Sequence, residues 1–144
     1  VQAYIAVIWD GLNQTYDGTA KPVTAASSPP GLTVDVTYDD SAVVPTNAGS
    51  YTVVGTISHG NYSGTVTNTL TVAKAPATIT LSDNGDGTMT ATTSPPGLTV
   101  NIEYTGSELS PDSIFVTATV SDPNYAGVAY GSVFFDPFIL PPNQ

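Results

Sequence analysis

Apolar and polar residues alternate with a period of two along most of this chain. In residues 32–38, Leu32, Val34, Val36 and Tyr38 fall on one side and Thr33, Asp35 and Thr37 on the other, the pattern of a strand with one face in a core and one in water. Residues 98–104 repeat it, with Ile102 on the core face. Comparable runs at 3–9, 22–26, 51–58, 64–72, 77–82, 88–93, 114–120 and 128–135 are rich in Thr and Val, whose branched side chains suit a pleated surface, and no window carries a helical stripe of useful length. Between the runs stand turn formers: Asp17-Gly18, Ser28-Pro29-Pro30-Gly31, Asn47-Ala48-Gly49, His59-Gly60-Asn61, Asp83-Asn84-Gly85-Asp86-Gly87 and Asp122-Pro123-Asn124. Short strands at near-regular spacing predict an all-β chain of antiparallel sandwiches or small barrels.

The pattern occurs twice. Ser-Pro-Pro-Gly-Leu-Thr-Val starts at Ser28 and again at Ser94, and Asn61-Tyr62-Ser63-Gly64 is echoed by Asn124-Tyr125-Ala126-Gly127. The spacing of roughly 65 residues is too long for a stacking solenoid unit and long enough for a small domain. We therefore expect two tandem modules, 1–74 and 75–144, joined at Lys74-Ala75-Pro76, a short Pro-stiffened joint that predicts a rod. Each module has few residues with which to build a core and, without cysteine, no disulfide to staple it.

Composition narrows the class of partner. Lys21 and Lys74 are the only basic residues against 12 acidic ones, a formal charge of −10, so phosphate backbones and anionic lipid would be repelled. Nucleic-acid binding and membrane insertion are not expected, and the run at 3–9 is far shorter than a membrane span. Polar surface comes from Thr, Ser, Asn and Gly, a composition suited to an exported surface module.

The ordered motifs Thr15-Tyr16-Asp17-Gly18-Thr19-Ala20-Lys21-Pro22-Val23, Ser28-Pro29-Pro30-Gly31-Leu32, Thr37-Tyr38-Asp39, Pro45-Thr46-Asn47-Ala48-Gly49-Ser50-Tyr51-Thr52-Val53 and Asn61-Tyr62-Ser63-Gly64 resemble the bacterial MBG or YDG repeats. The resemblance covers the first module well and the second more weakly, since the second lacks the Thr-Tyr-Asp-Gly and Asn-Ala-Gly-Ser-Tyr elements and places Ile114 where the first has Tyr51. It implies strings of modules in secreted and surface-attached, often adhesin-like, bacterial proteins, hence an extracellular or cell-surface setting, no catalysis and no cofactor. Tyr51, starting a strand after Asn47-Ala48-Gly49-Ser50, is placed like the tyrosine-corner residue of an immunoglobulin-like sandwich, with its hydroxyl on an upstream backbone group. Two tandem antiparallel immunoglobulin-like β-sandwich modules are the expected fold, with a β-grasp-like variant as the alternative.

Candidate chemistry is sparse. Asp83-Asn84-Gly85-Asp86-Gly87 has the oxygen-rich opening of a calcium loop but no closing bidentate carboxylate, and a hairpin between Ile79 and Met89 requires such residues in any case. Asp35, Asp39 and Asp40 read as a solvated face and a turn. His59, the single histidine, lies in a turn without a nucleophile elbow. An isopeptide bond would need Lys21, set in a polar context before a proline, or Lys74, in the joint. Exposed aromatics could stack on the apolar face of a sugar ring: Trp9, Tyr16, Tyr62 and Tyr125 are the candidate ligand contacts, with Tyr130 a further member, although the equivalence of Tyr62 and Tyr125 favours a shared packing duty. The apolar, Pro-rich tail offers Phe135, Phe138, Ile139 and Leu140 as candidate partner contacts by strand addition. The sequence thus points to a structural spacer or adhesion module whose partners are other domains or subunits of a surface assembly. A carbohydrate-binding accessory module that takes a polysaccharide is the alternative, and an enzyme would need a concave site of ionisable groups that the chain scarcely offers.

Overall fold

The computed structural model describes residues 6–106 and 112–135, which are all-β, with antiparallel sheets and no helix. The chain divides into two compact units, Val1–Ala75 and Pro76–Gln144.

In the first unit, β1 (Ala6–Asp10) pairs antiparallel with β3 (Thr24–Ser28), Trp9 opposite Ala25. A second sheet runs in the order β2 (Asn13–Thr15), β6 (Ser63–Ala73), β5 (Gly49–Ser58), β4 (Val34–Tyr38). Its β4–β5 and β5–β6 pairs are antiparallel, as alternation and short turns require, whereas β2 lies parallel to β6. Alternation sends Val53, Leu70 and Val72 inward with Tyr38 and Val23, and Trp9, Leu12, Tyr16, Val36, Val44 and Tyr51 close around them. Val53 and Leu70 are wholly buried, and each such side chain stabilises the fold by about 1.5–3 kcal/mol.

The second unit repeats the plan. β8 (Thr78–Asp83) and β9 (Met89–Ser94) form the hairpin, with Leu81 opposite Ala91 where the first unit has Trp9 opposite Ala25. β10 (Val100–Gly106), β11 (Ser113–Val120) and β13 (Val128–Phe134) form an antiparallel sheet; the two-residue strand β7 (Ala75–Pro76) falls on the boundary, and β12 (Tyr125–Ala126) accepts Ala77 N–H at Ala126 O. Ile79, Ala118 and Val120 centre the core, with Leu98, Val100, Ile102 and Tyr125 against them. The units differ chiefly between the first two strands of the hairpin: the first carries a long excursion containing β2, the second the tight turn 84–88.

Close approach explains two glycines. The Trp9 ring lies over Gly55 of β5, so that a Cβ there would sit 3.1 Å from the ring and 3.1 Å from Val34 Cγ1. At the matching register the second unit has the smaller Leu81 and, in place of glycine, Ala118. A Cβ on Gly127, the glycine of Asn124-Tyr125-Ala126-Gly127, would fall 2.3 Å from the backbone oxygen of Ala77. Backbone cannot swing aside as a side-chain tip can. Gly127→Ala is therefore expected to cost the second unit about 3 kcal/mol, and Gly55→Ala about 1 kcal/mol after the gain in strand propensity. Gly60→Ala, at a turn position with no neighbour within 4 Å, should change stability by less than ~0.5 kcal/mol. Urea denaturation of the full chain, read for each unit's transition, checks all three.

Candidate functional site

The repeated motifs converge on backbone hydrogen bonds. Val23 donates its N–H to the hydroxyl of Tyr38 at 3.0 Å, and in the second unit Met89 donates its N–H to the hydroxyl of Tyr104, also at 3.0 Å. Each amide stands at the entry to the second hairpin strand and each tyrosine lies on the neighbouring sheet. The Pro-Pro-Gly turns are closed in the same way twice: Leu32 N–H donates to Ser27 Oγ at 3.1 Å, and Leu98 N–H to Thr93 Oγ1 at 3.3 Å. Both Ser-Pro bonds, Ser28-Pro29 and Ser94-Pro95, are cis, and Gly31 and Gly97 take φ of +91° and +87°, which a side chain would resist. Tyr51 Oη donates to Asn47 O at 2.8 Å, the bond expected of a tyrosine corner.

The Tyr16-Asp17-Gly18 stretch has the same character. Tyr16 packs against the first core and donates its N–H to Ala73 O, continuing the β2–β6 ladder. Asp17 Oδ1 accepts from the N–H and hydroxyl of Thr19 and pairs with Lys21. Gly18 supplies the positive φ of the turn. Lys21, read from sequence as lying in a polar context, is 5 % exposed: its chain is packed inside and its ammonium meets Asp17 and Thr19. Hydrogen bonds from Lys21, then Thr19, hold the Asp17 carboxyl well below the usual carboxylate range, and Thr88 lowers that of Asp86 likewise.

Asp83-Asn84-Gly85-Asp86-Gly87 closes the β8–β9 hairpin. Asp83 Oδ1 accepts from Gly85 N–H, Asp86 Oδ1 from the N–H and hydroxyl of Thr88, and Asn84 donates to Thr88 Oγ1. Among the described residues no three of His, Cys, Asp and Glu gather as metal ligands. Asp39 and Asp40 form the tight turn at the end of β4, both at positive φ, with Asp39 accepting from Thr52 N–H. Asp35 is exposed on β4. His59 has a structural counterpart: its Nδ1 accepts from Asn61 N–H as Asp122 Oδ1 accepts from Asn124 N–H, so each caps the turn after the long central strand.

The aromatic candidates separate. Trp9 is half-buried over Gly55, with its Nε1 buried and unbonded, so packing alone holds the ring. Tyr16 joins the same core, while Tyr62 lies beside His59 at the end of the β5–β6 hairpin, their ring centroids 5.8 Å apart. Tyr125 packs on the second core. Tyr130 is 80 % exposed. Phe135 is partly exposed and leans on Gly87, and Phe138, Ile139 and Leu140 lie outside the described residues. Phe134, at the start of the apolar tail segment, is exposed, and so is Phe115, which sequence reasoning missed although its outward parity between Ile114 and Val116 is legible.

A cleft of about 420 Å³ between Tyr38 and Tyr51 includes Asp39, and one of about 380 Å³ runs along Trp9 to Asn13 beside Asp10. In the first, the Tyr38 and Tyr51 hydroxyls and the Asp39 carboxylate already bond backbone groups.

The family model of the MBG domain matches residues 6–76 and again residues 77–137. The chain belongs to the MBG domain family. No curated protein matches it. The motif residues whose bonds are described above lie within the two matched spans, and no helix among the described residues is long and apolar enough to cross a membrane.

Tyr38→Phe, which leaves the buried Val23 amide without an acceptor, should destabilise the first unit by about 2 kcal/mol, and Tyr104→Phe, at a more exposed site, the second by about 1 kcal/mol. Equilibrium denaturation with near-UV circular dichroism separates the two. Because the Asp17 carboxyl is lowered in the folded state, its contribution is complete above the unfolded value near pH 4 and declines as acid approaches the folded value. Melting temperature should accordingly fall below pH ~4, and Asp17→Asn should flatten that fall while lowering the melting temperature at neutral pH.

Proposed function

We propose that this chain is a non-catalytic structural module, a spacer or adhesion segment of an extracellular or cell-surface bacterial protein, whose partners are the other domains or subunits of that assembly. The observation that carries this reading is the duplicated set of hydroxyl-to-backbone bonds, Tyr38 with Val23 and Tyr104 with Met89, Ser27 with Leu32 and Thr93 with Leu98. The signature side chains that line the cleft by Tyr38 and Tyr51 have their polar ends on their own backbone: the Tyr38 hydroxyl on Val23 N–H, the Tyr51 hydroxyl on Asn47 O and the Asp39 carboxylate on Thr52 N–H. Repetition of a self-supporting unit serves reach and copy number, and a catalytic constellation has no use for it. Family membership supports the setting, since the MBG resemblance implies secreted and surface-attached proteins.

A spacer must bear load as separate units. Pulling the chain from its two ends in single-molecule force spectroscopy should give two unfolding events, each releasing roughly 20 nm of chain, as expected for matched segments 6–76 and 77–137 at ~3.5 Å per residue less the folded span. One cooperative event would overturn the reading of two independent modules.

A further inference from the structure

The two units share a register but not an outer surface. In the first unit the solvent face of the large sheet pairs Ser50 with Thr71, Thr52 with Thr69, Val54 with Thr67 and Thr56 with Thr65. At the same positions the second unit pairs Ser113 with Phe134, Phe115 with Ser132, Thr117 with Tyr130 and Thr119 with Val128. Four threonines, 52, 65, 67 and 71, are thus replaced by Phe115, Val128, Tyr130 and Phe134, which are 56 %, 52 %, 80 % and 73 % exposed. Phe115 lies diagonally between Tyr130 and Phe134, a relation that sets side chains about 7–8 Å apart, near enough to act as one platform. Core packing explains none of these rings, and a solvated sheet face gains nothing from them.

We propose that this face is a docking surface for a neutral polysaccharide. The charge pattern selects the occupant. Residues 76–144 contain no Lys, Arg or His, so the unit has no cation with which to hold an anionic polymer. Among the described residues of the face Glu103, opposite Thr117, is the one carboxylate, too little to draw a cationic partner. Each ring faces a hydroxyl across the strands: Phe134 with Ser113, Phe115 with Ser132 and Tyr130 with Thr117. That interleaving matches a sugar chain, whose rings present apolar C–H faces rimmed by hydroxyls, better than the contiguous apolar centre of a protein interface. A second copy of this chain is disfavoured by a formal charge of −10 on each partner.

This inference goes beyond the spacer role, and its failure would leave the pulling result untouched. The full chain and a triple variant, Phe115→Thr, Tyr130→Thr and Phe134→Thr, are run through native gels containing a neutral β-glucan, a galactomannan or an arabinoxylan, with alginate as the anionic arm. At least one neutral gel should retard the wild type, and the variant, with circular dichroism and melting temperature preserved, should show at least a tenfold weaker affinity. No retardation in any neutral gel, equal retardation of the variant, or stronger retardation by alginate overturns the proposal. So does a concentration-dependent dimer in sedimentation velocity that the variant abolishes, which would name a second copy as the occupant. Should the triple variant unfold, Tyr130→Thr alone, at the most exposed of the positions, carries the same comparison.

Discussion

A hairpin packed across a sheet leaves a backbone donor at its entry that no strand partner can reach, and in both units of this chain a tyrosine from the sheet opposite accepts it. Tyr38 does so for Val23 and Tyr104 for Met89. In the first unit, where the bond is buried, the Val23 amide left without an acceptor would cost about 1–3 kcal/mol, a large share of the stability of a unit this small. The bond ties the hairpin to the same sheet on which Trp9 lies over Gly55 in one unit and Leu81 packs against the core containing Ala118 in the other. With no disulfide available, such local closures and one modest core hold each unit together.

Much of this was legible in the chain because strands with one wet face write their parity into the sequence. The inward set of 32–38, the hairpin around Asp83 to Gly87 and the Tyr51 hydroxyl on an upstream carbonyl follow from period, turn residues and spacing. β2 did not, since Asn13-Gln14-Thr15 has no apolar alternation and is held by its ladder to Thr71 and by Gln14, which donates to Gly11 O and Pro22 O. The burial of Lys21 was hidden for a related reason: a long aliphatic stem can go inside when a partner such as Asp17 meets its end, and sequence does not disclose the loop that arranges this.

The aromatic face shows the remaining limit. Outward parity is readable for Phe115 alone, but Phe115, Tyr130 and Phe134 become neighbours only through the β11–β13 register, which no local pattern specifies. The duplication then supplies a control within one molecule. Where both units keep a residue, a bond to the backbone or a place in the packing explains it; where they part, as at Thr67 and Tyr130, the same register carries either side chain.

The unequal connections of the two hairpins carry a structural consequence. Strands in the same register are bridged by a long excursion with its own short strand in one unit and by the compact Asn84 turn in the other, while the core beneath keeps its plan. One register thus accepts two kinds of bridge, and the longer one becomes part of the frame it crosses: it lends Leu12 and Tyr16 to the core and a strand to the sheet, so length gained at a tip is converted into buried scaffold.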